Sequence, residues 1–273
     1  MICFHKKFPH ASCSRSITEQ PDASKFEQHC HNNYELLLVL RGAGQFTVED
    51  AQYPLRENTL MLFCPQEYHY VKLNLDEPYE RYVINFDATV PVDAAARLSL
   101  LNPAKVDSRG VYFSSPALIQ RIIPLFQMLD GIDELSSEGS TAREEAALRA
   151  LVTQILLLLS TQDAQEQAAS TNRLVSRVIE YINSHLSESI SLDGLAQEFF
   201  ISKFHLCRTF KQNTGMPLMT YLSVKRIALA QQLLDSGASA TEAAMRAGFI
   251  DYSSFYRAYR RQTGHSPKWQ KEG

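Results

Sequence analysis

The sequence predicts a two-domain α+β chain: an N-terminal antiparallel β-barrel (a small jelly roll) with helices, then an all-α domain with two helix-turn-helix units. Three observations predict it. Short β-rich runs separated by turn residues fill the stretch from Lys25 to Phe86. One helical pattern occurs twice between Ser191 and Gly264. Charge is also split: residues 172–273 hold 13 Lys+Arg against 8 Asp+Glu, net +5, while residues 1–171 hold 14 against 22, net −8. The whole-chain charge of −3 therefore conceals a basic domain beside an acidic one. A length of 273 residues accommodates two ordinary domains.

In chain order, residues 1–24 are poorly patterned and read as a loosely docked arm. Tyr34–Arg41 and Gln45–Glu49 read as strands around a Gly42-Ala43-Gly44 turn. Tyr53, Thr59–Phe63, Glu67–Leu73 and Glu80–Phe86 follow as short β runs. After Ala88 the texture turns helical. Val92–Leu101 is at most a short helix. Ser115-Pro116 starts another that runs to about Asp130, and Gly131–Ser140 is a polar loop. In Thr141–Ser160, Leu148, Leu151, Val152, Ile155, Leu158 and Leu159 recur at helical spacing. Leu156 and Leu157 widen the stripe, part of which must cover the barrel; the rest either is left for a second chain or is buried within the same domain. Residues 161–172 lack apolar spacing and read as a linker. The expected boundaries are 1–160, 161–172 and 173–271.

The basic half opens with a scaffold helix, Leu174–Leu186, with Val175, Val178, Ile179 and Ile182 inside. Then ISKFHLCRTFKQNTG (201–215) and IDYSSFYRAYRRQTG (250–264) align at an offset of 49. Ser202 and Asp251 are suited to N-caps, and Gly215 and Gly264 to left-handed C-terminal positions. Leu206 and Phe210, like Phe255 and Tyr259, are spaced i, i+4 and make one buried stripe per copy. The other face carries Lys203, Cys207, Arg208 and Lys211, then Tyr252, Tyr256, Arg257 and Arg260. Such a stripe can meet phosphates and base edges in a major groove. Between the copies, Leu218–Leu234 has no Gly or Pro and spans about 25 Å as a helix. That length puts the two longer helices near one DNA turn apart, about 34 Å.

Residues 172–270 resemble the DNA-binding domain of the AraC/XylS family of bacterial transcription regulators. SKFHLCRTFK, the YLSVKRIALAQQLL connector, AAMRAGFIDYSSFYRAYRRQTG with its Gly248-Phe249 turn, and the closing SPKW carry the likeness. The resemblance implies a bipartite major-groove reader. Its DNA contacts would fall on Lys203, Phe204, Cys207, Arg208 and Lys211, and on Tyr252, Ser253, Ser254, Tyr256, Arg257 and Arg260. Arg208 and Arg257 suit either bidentate contact to guanine or contact to phosphate. Cys207 can offer a thymine methyl only apolar contact. Core packing is the alternative for Phe204, a structural role for Arg226, a solvated charge for Arg246 and packing of the last segment for Trp269.

The first half resembles the cupin fold of AraC-type sensor domains. HCHNNYELLLVLRG contains His29-x-His31-x3-Glu35-x6-Gly42, the spacing of the first cupin motif. Pro65-x3-His69 fits the second, although the following Asn comes one residue late, at Asn74. The resemblance implies that His29, His31, Glu35 and His69 line an effector site. Metal cupins use such a set for zinc, iron or manganese. An organic effector held by hydrogen bonds, or no ligand at all, are the other readings; Arg41 and Tyr82 either face the pocket or are surface or core residues, since strand register is not readable from the sequence.

The expectation is therefore a ligand-responsive, sequence-specific regulator, not an enzyme. Its partners would be double-stranded promoter DNA, a small-molecule effector (sugars are favoured, since many barrel-type members sense them), a second copy in a homodimer, and RNA polymerase if it activates. No resident cofactor is expected. The alternative is a metal-dependent cupin enzyme fused to a DNA-binding module, which would show bound metal and turnover. Five cysteines without metal or redox spacing, no long apolar run and no secretion signal point to a cytoplasmic location away from membranes.

Overall fold

The computed structural model describes residues 2–22, 29–93, 96, 111–135, 141–160 and 172–267. The chain divides into two compact units, residues 1–29 with 33–170, and residues 30–32 with 171–273.

The first unit holds two antiparallel sheets. Six strands are ordered β1 (Ile2–Lys7), β2 (Ala11–Thr18), β8 (Tyr79–Phe86), β3 (Tyr34–Arg41), β6 (Thr59–Phe63) and β9 (Val111–Phe113). Three more are ordered β5 (Ala51–Leu55), β4 (Gly44–Val48) and β7 (His69–Leu73). β3 reads as a continuous apolar run because both its faces are covered. Leu36 and Leu38 pack toward the helices, with Leu60, Leu62, Tyr82 and Ile84. Leu37 and Val39 point between the sheets, where they meet Phe46, Val48, Tyr53, Met61 and Phe63.

Helices α1 (Pro116–Gln127) and α2 (Ala142–Ser160) and a 3₁₀ segment (Met128–Leu135) close the outer face of the larger sheet. Ile119, Ile122, Phe126, Leu148, Val152, Ile155 and Leu156 are buried in that layer. Leu157, 37% exposed, is the large apolar residue that α2 leaves in the open. The stripe is therefore mostly spent on its own barrel.

Three sequence expectations need correction. Residues 2–18 of the expected arm are not loose: β2 pairs with β8 from Ala11 to Thr18, and β1 pairs with β2 outside it. Serines and charged residues alternate there with few large apolar groups, so the strand signal is weak. Part of the expected 131–140 loop is the 3₁₀ segment. Arg15 fastens it, bonding Glu80 Oε1 at 2.6 Å and Asp130 Oδ2 at 2.8 Å, and the Tyr82 hydroxyl donates to the same Asp130 oxygen. Tyr82 thus faces the helices and not the barrel interior, while Arg41 ends β3 in solvent. Strand β9 was not anticipated. Most of Val92–Leu101, residues 161–171 and Trp269 lie outside the described residues.

The second unit is helical: α3 (Arg173–Ser184), α4 (Leu192–Glu198), α5 (Lys203–Thr214), α6 (Leu218–Asp235), α7 (Ala240–Arg246) and α8 (Tyr252–Thr263). The starts are capped by side chains. Asn172 accepts from the Leu174 and Val175 amides, Ser191 from Gly194, Ser202 from His205 and Asp251 from Ser254. Ser239 and Glu242 form a reciprocal capping box at α7. Gly215 and Gly264 end α5 and α8 at φ 76° and 78°, as expected for left-handed C-terminal positions. α6 packs its first half on α5 through Phe210 and Tyr221, and its second half on α7 and α8 through Ile227, Ala230 and Leu234.

The two helix-turn-helix units are not exact copies. The Ile201 amide bonds the Ala196 carbonyl, and the Phe249 amide bonds the Ala244 carbonyl, closing α4 and α7 in the same way. Phe200 (φ 55°) and Gly248 (φ 86°) hold the left-handed position before each of those amides. After Ile201 the first turn passes directly to its cap, Ser202. After Phe249 the second inserts Ile250 before its cap, Asp251. A left-handed phenylalanine costs about 1–2 kcal/mol relative to glycine.

Arg226 of α6 ties these pieces together, as a structural residue should. Its Nε donates to the Leu186 carbonyl at 3.0 Å and its Nη2 to the Glu188 carbonyl at 2.6 Å, and burial holds its pKa below the usual guanidinium range. The same Leu186 carbonyl abuts the second turn: a Cβ on Gly248 would sit 2.2 Å from it. Gly248→Ala is therefore expected to destabilise the second unit by about 2 kcal/mol or more, measured by urea unfolding, because both φ and space forbid a side chain there.

Candidate nucleic-acid interface and effector site

α5 and α8 each bury one stripe and expose the other. Leu206 and Phe210 are buried on α5, as are Phe255 and Tyr259 on α8. Of the expected contact residues, Lys203, Phe204, Arg208, Lys211, Tyr252, Ser253, Arg257 and Arg260 are exposed, and Cys207, Ser254 and Tyr256 are half-buried. Phe204 is 75% exposed, so it does not pack in the core.

The cations differ in freedom. Lys203 Nζ lies 2.8 Å from Asp193 of α4, a solvent-screened pair. Arg257 Nη2 donates to Ser254 Oγ at 3.3 Å, and that hydroxyl donates to the cap carboxylate of Asp251 at 2.8 Å. The guanidinium is thereby aimed along the start of α8. The side chains of Arg208, Lys211 and Arg260 make no hydrogen bond or ion pair among the described residues. α5 carries no acidic residue. The result is two short cationic faces, each beginning at a helix N-terminus, where amides also favour an anion.

In the first unit, His29, Glu35 and His69 come together, with one ligand atom from each lying within 4.8 Å of every other, while His31 of the same motif belongs to the short 30–32 segment that groups with the second unit. The backbone explains part of this. His29 and His69 form an antiparallel bridge, each amide donating to the other's carbonyl. His31 follows two residues later, just ahead of β3. Glu35 shares strand parity with Leu37 and Val39, so its carboxylate faces the space between the sheets. Glu35 and His69 are buried, His31 is half-buried and His29 is exposed, so the group runs from interior to surface. Phe63 stacks on the His69 ring at 4.1 Å. His69 Nδ1 lies 2.9 Å from the Glu67 carbonyl, which can only accept, so the neutral ring carries its proton on Nδ1 and its lone pair on Nε2. Asn74, the late residue of the second motif, instead receives a backbone bond from Asp76 and spends its amide on Ala43.

Two comparisons follow the same division. A model of the AraC-like ligand binding domain matches residues 15–156, more than half the chain, and a helix-turn-helix domain model matches residues 195–270. The chain belongs to the AraC/XylS family of transcriptional regulators. It is similar over 97% of its length to the transcriptional activator RhaS of Salmonella typhimurium and of Salmonella typhi, at 26% identity and over 95% of their length. Among solved structures it is similar to ToxT from Vibrio cholerae O395 (11% identity, 94% of this chain and 95% of that one, TM-score 0.39). It is also similar to the C-terminal domain of AraT, a response regulator from Geobacillus stearothermophilus (29% identity, 35% and 80%, TM-score 0.34). At TM-scores this low neither likeness bears on the arrangement of this chain.

As an AraC-family member the protein is a DNA-binding regulator with a ligand-binding domain, and not an enzyme. Among the described residues no helix is long and apolar enough to cross a membrane. The histidine–glutamate group nevertheless has the chemistry of a divalent-metal site. Of its residues, His29, Glu35 and His69 of the first unit would hold such an ion, which would supply a Lewis acid for an oxygen ligand.

Sequence reasoning missed Asp193 and Phe200. The salt bridge of Asp193 is a tertiary contact without sequence spacing. Phe200 could have been found by aligning the helix ends instead of the longer helices. The Asp251 carboxylate is held below its usual range, first by the Ser254 amide and then by its hydroxyl. A depressed folded pKa means stability present above the unfolded value near 4 and lost as pH falls through the lower folded value. Acidification from about pH 5 to about pH 3 should therefore weaken the wild type more than Asp251→Asn, measured by urea unfolding.

Proposed function

We propose that this chain binds promoter DNA with α5 and α8 in two successive major grooves and that an effector in the barrel controls its occupancy. The duplicated cationic face supports the reading most strongly. Arg208 and Arg257 read bases, while Lys203, Lys211 and Arg260 meet phosphates. Ser253, Ser254, Tyr252 and Tyr256 supply hydrogen bonds, and Phe204 and Cys207 apolar contact. α6, 18 residues long, provides a rod of about 27 Å between the units. The domain limits proposed are 1–160, 161–172 and 173–271.

The effector site comprises His29, His31, Glu35 and His69, which offer both donors and acceptors to a polyhydroxylated molecule such as a sugar. An effector acts only through different affinity for two states of the chain. Activation, with RNA polymerase as partner, is supported by the similarity to RhaS, a transcriptional activator. A homodimer and a cytoplasmic location complete the proposal. A second reading of the barrel, favoured by the clustered donor atoms, is a bound divalent transition metal. Stoichiometric metal in purified protein, lost in His31→Ala, would select it.

Arg208→Ala and Arg257→Ala should each weaken specific binding by about 1–3 kcal/mol in fluorescence anisotropy on a selected duplex. Unchanged binding by both at physiological salt would contradict the face assignment. Lys211→Ala should lower affinity for all sequences alike and reduce the salt slope by about one ion. Glu35→Gln and His69→Ala should abolish the effector-dependent change in DNA affinity while leaving effector-free binding within about two-fold, in the same assay with and without a sugar that shifts the melting temperature.

A further inference from the structure

Among the described residues Phe200 is the most exposed of the large apolar side chains, at 94%. It stands at a backbone position that glycine fills in the second unit. Its neighbour Phe199 turns inward, against Tyr181 and Arg177, so the helix end already has its anchoring aromatic. Phe200 therefore adds backbone strain and exposed apolar surface to the first turn. Residues that break local rules in this way cluster where a partner uses them.

The second turn exposes an apolar residue as well, by a different route. Its additional residue, Ile250, is 90% exposed, and Tyr252, which begins α8, is 42% exposed. In the first unit, Phe204 on the first turn of α5 is exposed beside the start of the cationic face. Each unit thus presents apolar side chains just ahead of, and within, the first turn of its outward helix. The same helix carries exposed cations next to them: Lys203, Arg208 and Lys211 on α5, Arg257 and Arg260 on α8. A surface that repeats with this charge fits a partner that is anionic and repeats too. A duplex offers that, with the thymine C5-methyl as the apolar group on its major-groove floor.

We propose that Phe200 is a further DNA contact, lying against a thymine methyl at the edge of the groove read by α5, with Ile250 in the same role for α8. The inference rests on the reading that α5 and α8 enter the major groove. It adds an apolar, thymine-selective element to a face so far described by its cations.

The test uses the full chain and a duplex that it selects from a random pool. Phe200→Gly removes the ring and relieves the backbone, and Phe200→Asn replaces the ring with a polar side chain that tolerates φ > 0. Both should melt at or above the wild-type temperature and bind the selected duplex about five- to ten-fold more weakly. Replacing the thymines of that duplex by deoxyuridine, which lacks the methyl, should weaken the wild type. It should weaken the two variants much less. Variants that bind within two-fold of the wild type, or that show the same deoxyuridine penalty, would overturn the contact. So would unchanged binding with reduced transcription in a purified RNA polymerase assay, which would assign the ring to a protein. Failure of the wild type to select any duplex would overturn the DNA reading itself, an outcome distinct from loss of the Phe200 contact alone.

Discussion

The buried guanidinium of Arg226 is the constraint on which the C-terminal unit depends. It projects from α6, the rod between the two helix-turn-helix units, and bonds the carbonyls of Leu186 and Glu188 just beyond α3. The Leu186 carbonyl in turn abuts Gly248, so no other residue fits at the second turn. Ser187 closes the same corner by donating to the Arg246 carbonyl at 2.7 Å. Scaffold helix, connector and second turn therefore share one hydrogen-bonded joint. An unsatisfied buried cation costs far more than a pair restores, which makes the joint a fixed hinge point for the relative placing of α5 and α8.

That rigidity gives the outward faces their meaning. Two cationic helices on flexible tethers would bind DNA in many registers. Held by one connector packed on both sides, they keep one spacing, which is what the proposed two-groove reading requires. The caps serve the same end: Ser202 and Asp251 fix where each helix begins, and Asp251 also orients Ser254 and, through it, Arg257. A residue read from sequence as a helix start thus also orients an exposed cation on the outward face of α8.

The helical half was largely legible in the sequence, because its signals are local. Caps at Ser202 and Asp251, terminal glycines at 215 and 264, and i, i+4 apolar pairs each depend on residues within one turn. The barrel was less legible. β3, β6 and β8 announce themselves as apolar runs, whereas β2 is held by pairing with β8 and by the Arg15 cluster, partners more than sixty residues away. Tyr82 could not be placed until strand parity was known, and it then proved to face the helices. His29, His31, Glu35 and His69 were named from motif spacing, yet what unites them is the His29–His69 bridge across the barrel. The asymmetry of the two turns was hidden because the longer helices align at 49 residues while α4 and α7 align at 48.

The central claim is that one chain reads two neighbouring turns of a duplex from one side. Hydroxyl-radical and guanine-methylation footprints of the full chain on a selected duplex test it most directly. The account predicts two protected major-groove windows on the same face, centred about one helical turn apart. One protected window, or two on opposite faces, would contradict it.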